Sequence, residues 1–394
     1  MSYFFVLGTN PALSVAELAS VLDLKNIHLL SPDFLIADSN QEIAPENLIK
    51  CLGGTIKIGR IVSEVKAGGS YDLEQRVERL AAEKQALSVG GKFNFGFSDY
   101  GPQLFDKKDL GLKLKQYFAQ RKISSRFVIS REKTLSSVVV TQNKLLRRGL
   151  EIVLAAADDI VLIGETLAVQ PFKDLSLRDY GRPARDDLSG MLPPKLAQIM
   201  INLAQLPSKN ALVIDPFCGS GTILSEAAIL GYKNLFGSDV SSKAVDDTRK
   251  NMSWLKELYK IDDIKLKLFV KKVENLSKFV KGETVDAIIT EPYLGPQRGR
   301  LDFKSIISSL ESLYSLALHE FFKVLKPGGR VVMIWPLYYG ERPINPRYDG
   351  FRVLNMIPET LKDSKFIKKN SRDSIIYGRP GQKVYREVVV LEKI

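Results

Sequence analysis

The spacing of apolar residues along the chain changes near residue 195. Beyond it, short apolar runs such as ALVID and VDAIIT alternate with longer segments whose apolar residues recur every three or four positions. Short continuous runs are typical of strands buried on both faces, and the wider spacing is typical of amphipathic helices. Strands that alternate with helices predict a parallel, doubly wound α/β sheet. The last two runs, FRVLNMI and YREVVVLEKI, have no helical segment between them, which predicts a terminal antiparallel hairpin and seven strands in all.

The first half of the chain has shorter, mixed elements of an α+β kind. A helix is predicted at SVAELASVLDL, with Ser14 as its N-cap and Glu17 at the capping-box position. A basic amphipathic helix is expected at DLGLKLKQYFAQRK. Other apolar runs predict strands, at YFFVLG, KFNFGFSDY, SRFVIS, SSVVVTQN, EIVLAAA and IVLIGETLAVQ.

A segment rich in proline, glycine and charge, RDYGRPARDDLSGMLPP, separates the two halves and is typical of a linker. At 394 residues the chain is long enough for two or three domains. We predict an N-terminal segment, a second α+β domain, the linker and the α/β domain, with bounds 1–70, 71–175, 176–194 and 195–394.

Positive charge is unevenly distributed along the chain. The formal net charge is +12, and residues 101–150 hold 12 Lys and Arg against 3 Asp and Glu. Residues 1–100 hold 9 against 12. A concentrated basic region fits a partner with a phosphate backbone, so nucleic acid is favoured over the alternative that the charge serves solubility alone.

Cysteine and histidine are scarce, at two residues each. So few and so scattered, they do not predict a zinc cluster or a disulfide framework, and His28 and His319 are expected to be incidental. No apolar run reaches the roughly 18 residues needed to span a bilayer, and the N-terminus has no signal-peptide pattern. We expect a cytoplasmic protein that binds neither a metal nor a membrane.

The turn DPFCGSGT, between the first strand of the α/β domain and its helix, carries Gly219 and Gly221. Glycines there let the backbone turn tightly and approach a ligand. Asp215 ends this strand and Asp239 ends the next, where an acid can accept both hydroxyls of a ribose. A plain strand-to-helix turn is the alternative, but the glycines and acids together favour an adenosine-type ligand.

The same turn distinguishes between two such ligands. A dinucleotide-binding pattern needs a third glycine at position 224, where this chain has Leu224. The carboxylate of Asp215 would repel a phosphate and attract an amino or sulfonium group. S-adenosylmethionine therefore fits this turn better than NAD.

Three residues with distinct properties follow the run VDAIIT: Glu291 is a hydrogen-bond acceptor, Pro292 bends the chain and Tyr293 has a flat aromatic ring. An exocyclic amine on a nucleobase is a poor nucleophile because its lone pair is delocalised into the ring. A carboxylate and a prolyl carbonyl that accept its two N–H bonds would localise that pair and aim the nitrogen, while a ring holds the base by stacking. The alternative is a proline turn that leaves a strand, with Tyr293 packed in the core.

At these residues the sequence resembles the Rossmann-like RNA and DNA amino-methyltransferases. DPFCGSGT matches their first motif, and TEPYLG aligns with their (D/N)PPY motif. Over nearly its full length the chain is similar to the THUMP-containing tRNA guanosine N2-methyltransferases, the archaeal and eukaryotic enzymes that act at position 10. YFFVLGTNPALSVAELASVL resembles their ferredoxin-like opening, and the strands up to IVLIGETLAVQPF resemble their THUMP domain. RDYGRPARDDLSGMLPPKLAQIMINLA resembles their linker and first helix, and GRPGQKVYREVVVLEK resembles their C-terminal end.

The resemblance implies a Rossmann-like seven-stranded methyltransferase domain after a ferredoxin-like and THUMP-like region, S-adenosylmethionine as cofactor, and tRNA docked on the THUMP region. It assigns the target amine to Glu291, Pro292 and Tyr293. Cofactor contacts are assigned to Asp215, Phe217, Gly219, Gly221, Asp239 and Glu274. RNA contacts are expected in the basic region, at Lys113, Lys115, Arg121, Lys122, Arg126, Arg147 and Arg148. Arg298 and Arg300 are either further phosphate contacts or a solvated basic loop.

Two departures from the family pattern bear on the site. Aligned without gaps, Glu291 stands for the motif's Asp, Tyr293 for its second Pro and Leu294 for its aromatic residue. The acid that often contacts adenine after the third strand is also displaced, so Glu274 or a backbone group takes that role.

The sequence thus predicts an S-adenosylmethionine-dependent tRNA guanosine N2-methyltransferase that transfers the methyl group directly, and it leaves open a small activating subunit. Two alternatives remain: a ribosomal RNA or DNA amino-methyltransferase, and an RNA-binding protein that has lost catalysis. A dehydrogenase is disfavoured because the third glycine is missing.

Overall fold

The computed structural model describes residues 1–88, 90–102, 105–185, 191–296, 302–368, 370–372 and 374–394. Strands in these ranges are β1 Ser2–Leu7, β2 Leu24–Ser31, β3 Phe34–Ser39, β4 Thr55–Lys66, β5 Phe93–Tyr100, β6 Ser125–Val128, β7 Gly149–Ala157, β8 Ile160–Val169, β9 Leu212–Asp215, β10 Asn234–Asp239, β11 Lys265–Val270, β12 Val285–Thr290, β13 Leu325–Tyr338, β14 Arg342–Pro343, β15 Phe351–Val353, β16 Ile375–Tyr377 and β17 Val384–Lys393. Helices are α1 Pro11–Val21, α2 Pro45–Cys51, α3 Ser70–Leu87, α4 Lys107–Gln120, α5 Ser137–Gln142, α6 Phe172–Tyr180, α7 Pro194–Leu203, α8 Thr222–Ile229, α9 Ser242–Tyr259, α10 Leu276–Phe279 and α11 Phe303–Val324.

The α/β half is built on one sheet whose main path has the order β11-β10-β9-β12-β13-β17-β15. Strands β9 to β13 pair in parallel, and β17 runs antiparallel between β13 and β15. The predicted doubly wound sheet with a reversed terminal strand is confirmed. Two short strands, β14 and β16, add to its side by pairing with β13 and β17.

The first half forms a second sheet with the order β2-β3-β1-β4-β8-β7-β5-β6. Strands from both predicted N-terminal parts share this sheet, because β4 pairs with β1 and with β8. Helices α3 and α4 pack against β5 and β7 and enclose a separate apolar core. The domain bounds drawn from the sequence stay predictions. In the part of the chain that the structure describes, no helix is both long and apolar enough to cross a membrane.

The predicted strand at SSVVVTQN is wrong, because residues Ser137–Gln142 form helix α5. The hydroxyl of Ser136 caps the helix by accepting a hydrogen bond from the Val139 amide at 3.3 Å. Val140 is fully buried against Leu135 and Leu145. The cap and this packing outweigh the strand preference of three consecutive valines.

The predicted cap of α1 is also wrong. The helix begins at Pro11, and Asn10 is its N-cap, accepting a hydrogen bond from the Leu13 amide at 3.1 Å. Ser14 is buried inside the helix and donates its hydroxyl to the Gly54 carbonyl at 2.7 Å. Proline at the first helical position, preceded by asparagine, is itself a helix-start pattern.

Glu17 joins the two halves of the chain. Its fully buried carboxylate accepts hydrogen bonds from the amides of Gly53 at 2.9 Å and Gly54 at 2.8 Å, and from the side chain of Asn202 in α7 at 2.8 Å. A Cβ at Gly53 would lie 2.0 Å from the carbonyl oxygen of Lys195, so only glycine permits this close approach to α7. One continuous apolar cluster contains residues of both halves around this contact.

We expect Glu17→Ala to lower the free energy of unfolding by about 3 kcal/mol, since the buried amides of Gly53 and Gly54 lose their acceptor and Asn202 loses one of two. Burial raises the pKa of Glu17 to about 7, although its three hydrogen bonds act to lower that pKa. A raised pKa in the folded state means that the wild type loses stability as pH rises from 4.5 through about 7, and this loss should be absent in the variant. Chemical denaturation of both proteins at pH 5 and pH 8 measures the two effects. Equal stability of Glu17→Ala and an exposed control, Glu42→Ala, would contradict the assignment.

Candidate active site

Three carboxylates lie at the carboxyl edge of the α/β sheet. Asp215, Asp239 and Glu291 end or follow β9, β10 and β12, which are neighbours in the parallel part of the sheet. They line one cavity of about 950 Å³, a volume typical of small-molecule sites. Among the residues predicted from the sequence, the cavity is lined by Asp215, Phe217, Gly219, Asp239, Glu274, Glu291, Pro292 and Tyr293.

Gly221 shapes this cavity without lining it. Its φ of +84° is favourable for glycine, and a Cβ there would lie 2.8 Å from the side chain of Thr248 in α9. Thr248 in turn donates its hydroxyl to the Gly219 carbonyl at 2.7 Å. The Gly219 amide donates to the carboxylate of Asp239 at 3.0 Å. The glycine loop is therefore held by Thr248 of α9 and by Asp239 at the end of β10.

The segment expected to be a linker also holds the glycine loop. The side chain of Asn251 donates to the carbonyls of Ser220 at 2.8 Å and Ala184 at 2.9 Å, and it accepts from the Ala184 amide at 2.9 Å. The guanidinium of Arg182 donates to the Thr222 hydroxyl at 2.6 Å. The sequence did not predict that this segment holds the glycine loop. The arginines of RDYGRPAR were the available indication that it makes specific contacts.

Asp215 is the most deeply buried of the three acids, with 2% of its surface exposed. It accepts hydrogen bonds from the Thr290 hydroxyl at 2.7 Å and the Phe217 amide at 3.2 Å. Burial raises the pKa of Asp215 to about 7, with smaller contributions in the same direction from Asp239 and Glu291. A cation in this cavity would offset the cost of the charged form, which is the chemistry of a sulfonium or ammonium group.

Glu291 is held by an arginine that sequence reasoning did not find. Arg386 of β17 donates to its carboxylate at 2.5 Å and 3.5 Å. Burial raises the pKa of Glu291, and the charge and hydrogen bond of Arg386 oppose that rise. The two residues are 95 positions apart and meet because β17 lies beside β13, so no local pattern signalled the pair.

The backbone after Glu291 rests on two buried tyrosines. Tyr314 donates its hydroxyl to the Tyr293 carbonyl at 3.2 Å, and Tyr338 donates to the Leu294 carbonyl at 2.8 Å. The side chain of Tyr293 is 60% exposed, while Leu294 is buried. Tyr293 is therefore not the core residue of the alternative interpretation, and its ring stands at the mouth of the cavity.

The predicted RNA-binding cations divide into two groups. Strands β6 and β7 both pair in parallel with β5, so their amino ends lie at one edge of the sheet. Exposed cations lie at or just before these ends, which we call the basic edge: Arg121, Lys122, Arg126, Arg147 and Arg148. Two exposed cations that the sequence did not single out, Lys92 and Lys144, flank the same ends.

The remaining predicted cations lie elsewhere. Lys113 and Lys115 are exposed on α4, where Lys113 is paired with Glu74 at 2.5 Å and Asp109 at 2.9 Å. Arg298 and Arg300 lie outside the described residues. The structure thus brings five of the nine predicted cations to one edge.

Residues 182–338 match the family of RMKL-like methyltransferase domains. The chain is 29% identical over 183 residues to a tRNA (guanine(10)-N2)-dimethyltransferase of Methanocaldococcus jannaschii, an alignment covering 45% of this chain. It spans about half of that relative, 48% of its length. A second tRNA (guanine(10)-N2)-dimethyltransferase, from Pyrococcus abyssi, is 22% identical over 92% of this chain and 97% of its own.

A solved structure agrees with the fold. The crystal structure of TrmN from Thermus thermophilus aligns over 100% of both chains with a TM-score of 0.56 and 18% identity. Residues 182–338 thus match a methyltransferase domain, and nearly the whole chain is similar to a tRNA (guanine(10)-N2)-dimethyltransferase.

Proposed function

We propose that this chain transfers a methyl group from S-adenosylmethionine to the exocyclic amine of a guanine in tRNA. The observation that carries the proposal is the shared cavity. The carboxylate of Glu291 and the exposed ring of Tyr293 face the same space as the glycine loop and Asp239. This shared lining supports a cofactor site and an amine-binding motif that open into one cavity.

The residues of the cavity fit S-adenosylmethionine. When bound, it supplies an electrophilic methyl group on a cationic sulfur. Asp239 ends β10 where an acid meets a ribose, and Asp215 favours a cation. Glu274, with Lys272 and Val273, lines the cavity after β11 and is proposed to face the adenine.

The target amine is proposed to lie against Glu291 and Pro292. The Glu291 carboxylate and the Pro292 carbonyl accept its two N–H bonds, which localises the nitrogen lone pair and aims it. Arg386 opposes the rise in the pKa of Glu291 that burial causes, which favours the carboxylate as an acceptor. Tyr293 stacks on the guanine.

The substrate class is supported by the relatives and by the basic edge. The relatives are named for the guanine N2 position of tRNA, and their name as dimethyltransferases makes dimethylguanosine an expected product. Arginines and lysines gathered at strand ends suit the phosphates of a structured RNA. The cytoplasmic location expected from the sequence stays a prediction.

With purified protein, tritiated S-adenosylmethionine and unmodified bulk tRNA, we expect label in N2-methylguanosine or N2,N2-dimethylguanosine, identified by nucleoside mass spectrometry. Glu291→Gln should lower kcat about a hundredfold, because it removes one fixed electrostatic contact to the reacting group, while cofactor binding is kept. Asp239→Ala should abolish cofactor binding. Glu257→Gln, an exposed change of the same chemistry in α9, is the control.

Label in ribosomal RNA but not tRNA would contradict the proposed substrate. Cofactor binding without transfer to either RNA would favour the alternative of a protein without catalysis, once the assay is repeated with cell extract to supply an activating subunit.

Arg386→Gln should move the acidic limb of the kcat profile to higher pH. Arg386 lowers the pKa of Glu291, so its removal raises that pKa further and protonates the carboxylate at a higher pH. Arg386→Lys, which keeps the charge, should recover most of this shift toward the wild-type profile. Arg352→Gln, at an exposed pair with Glu392, is the control. An unchanged acidic limb in Arg386→Gln would show that Glu291 does not act as the acceptor.

The double variant Arg147→Gln with Arg148→Gln should weaken tRNA binding and reduce the salt dependence of log Kd by about 2 if each arginine contacts one phosphate. Filter binding between 50 and 200 mM salt measures this slope. The matched control is Arg76→Gln with Arg79→Gln on α3, whose guanidiniums pair with acids of their own helix. Equal slopes for the two double variants would move the RNA site away from the basic edge.

A further inference from the structure

A strained, exposed tyrosine follows the strand whose last residue, Tyr338, contacts the backbone after Tyr293. Tyr339 follows β13 with a φ of +53°, and its side chain is 50% exposed. Gly340 has a φ of +78°, and the Glu341 amide donates to the Tyr338 carbonyl at 3.1 Å. Two positive φ values inside such a hydrogen bond define a hairpin turn that prefers asparagine followed by glycine. A bulky aromatic residue in the first position is unfavourable for the turn.

The surroundings hold Tyr339 in this conformation. Its amide donates to the Lys383 carbonyl at 2.8 Å, which ties the turn to the start of β17. A residue kept in a disfavoured conformation by its neighbours, with its side chain directed to solvent, indicates a role for the side chain outside the fold.

Two further side chains complete a surface with Tyr339. The ring of Phe303 lies 5.6 Å from that of Tyr339 and 5.5 Å from that of Tyr338, both edge to face. The guanidinium of Arg342, an exposed residue, lies 4.9 Å over the Phe303 ring. We call Tyr339, Phe303 and Arg342 the aromatic shelf.

The aromatic shelf is connected to the target motif. Tyr338, which packs on Phe303, donates its hydroxyl to the Leu294 carbonyl at 2.8 Å. A Cβ at Gly295 would lie 1.9 Å from that hydroxyl, so the backbone after Tyr293 sits directly on Tyr338. The ring of Tyr338 therefore lies between the aromatic shelf and the loop that carries Tyr293.

We propose that the aromatic shelf binds a nucleobase that flanks the target base in the RNA, with Tyr339 stacked on it and Arg342 facing its phosphate. An extruded target base leaves its neighbours unstacked, and an exposed ring beside a cation is a general receptor for such a base. Because a ring stacks on any base, the shelf would position the substrate rather than read its sequence. This inference rests on the proposed function.

The test replaces Tyr339 by residues that distinguish the effect of losing its ring from the effect of changing the turn. Tyr339→Asn supplies the residue that the turn prefers and removes the ring, so the melting temperature should stay equal or rise. The KM for unmodified tRNA should increase about tenfold with kcat little changed, as expected for one lost stacked base. Tyr339→Phe keeps the ring and should restore the KM. Gln205→Asn, an exposed position with a φ of +46° outside the cavity, is the matched control.

An unchanged KM in Tyr339→Asn would overturn the proposal, and so would an equal rise in Tyr339→Phe, which would point to the hydroxyl. If Tyr339→Asn unfolds, Arg342→Gln gives a second measurement, with a KM increase of about threefold expected. Filter binding of the same variants to tRNA with S-adenosylhomocysteine needs no turnover. A wild type that binds tRNA without methylating it would refute the proposed function, and the binding constants would still decide on the shelf.

Discussion

The hydrogen bond from the Thr290 hydroxyl to the Asp215 carboxylate is the contact on which the site depends. Thr290 ends β12 and Asp215 ends β9, so this bond of 2.7 Å joins the two central strands at their carboxyl ends. It satisfies one oxygen of a carboxylate that burial would otherwise make very costly. The glycine loop begins immediately after Asp215, and the proposed amine-binding motif begins immediately after Thr290. One bond therefore fixes the two halves of the cavity against each other.

The charges around the cavity differ between these two halves. On the glycine-loop side, Asp215 accepts from a hydroxyl and an amide, and Asp239 accepts from the amides of Gly219 and Ser241. Such neutral donors bring no positive charge of their own to these carboxyl groups, which suits a cationic ligand. On the other side, the guanidinium of Arg386 neutralises Glu291. The proposed amine target is neutral, so a carboxylate balanced by arginine could accept hydrogen bonds from its N–H groups without drawing a second cation into the site.

Local patterns in the sequence predicted the features of the fold that depend on neighbouring residues. The period of the apolar residues predicted the parallel sheet, and the acids at the ends of its strands predicted an adenosine-type ligand. Contacts between distant segments were beyond such patterns. Arg386 reaches Glu291 through a strand inserted late in the chain, and Asn251 holds Ala184 across 67 positions. Helix α5 was missed since its valines favour a strand until Ser136 and the burial of Val140 are known.

The contact between the halves connects the basic edge to the cavity. Glu17 in α1 binds Asn202 in α7, Gly53 meets the Lys195 carbonyl, and the apolar cluster runs through both halves. Close packing of this kind does not slide, because any shift would uncover a buried carboxylate and separate its donors. An RNA held at the basic edge would then present to the cavity a nucleotide at a set distance from its docking point. If the proposed function holds, the rigidity of the Glu17 contact, more than any base-specific side chain, would select the nucleotide that reaches Glu291.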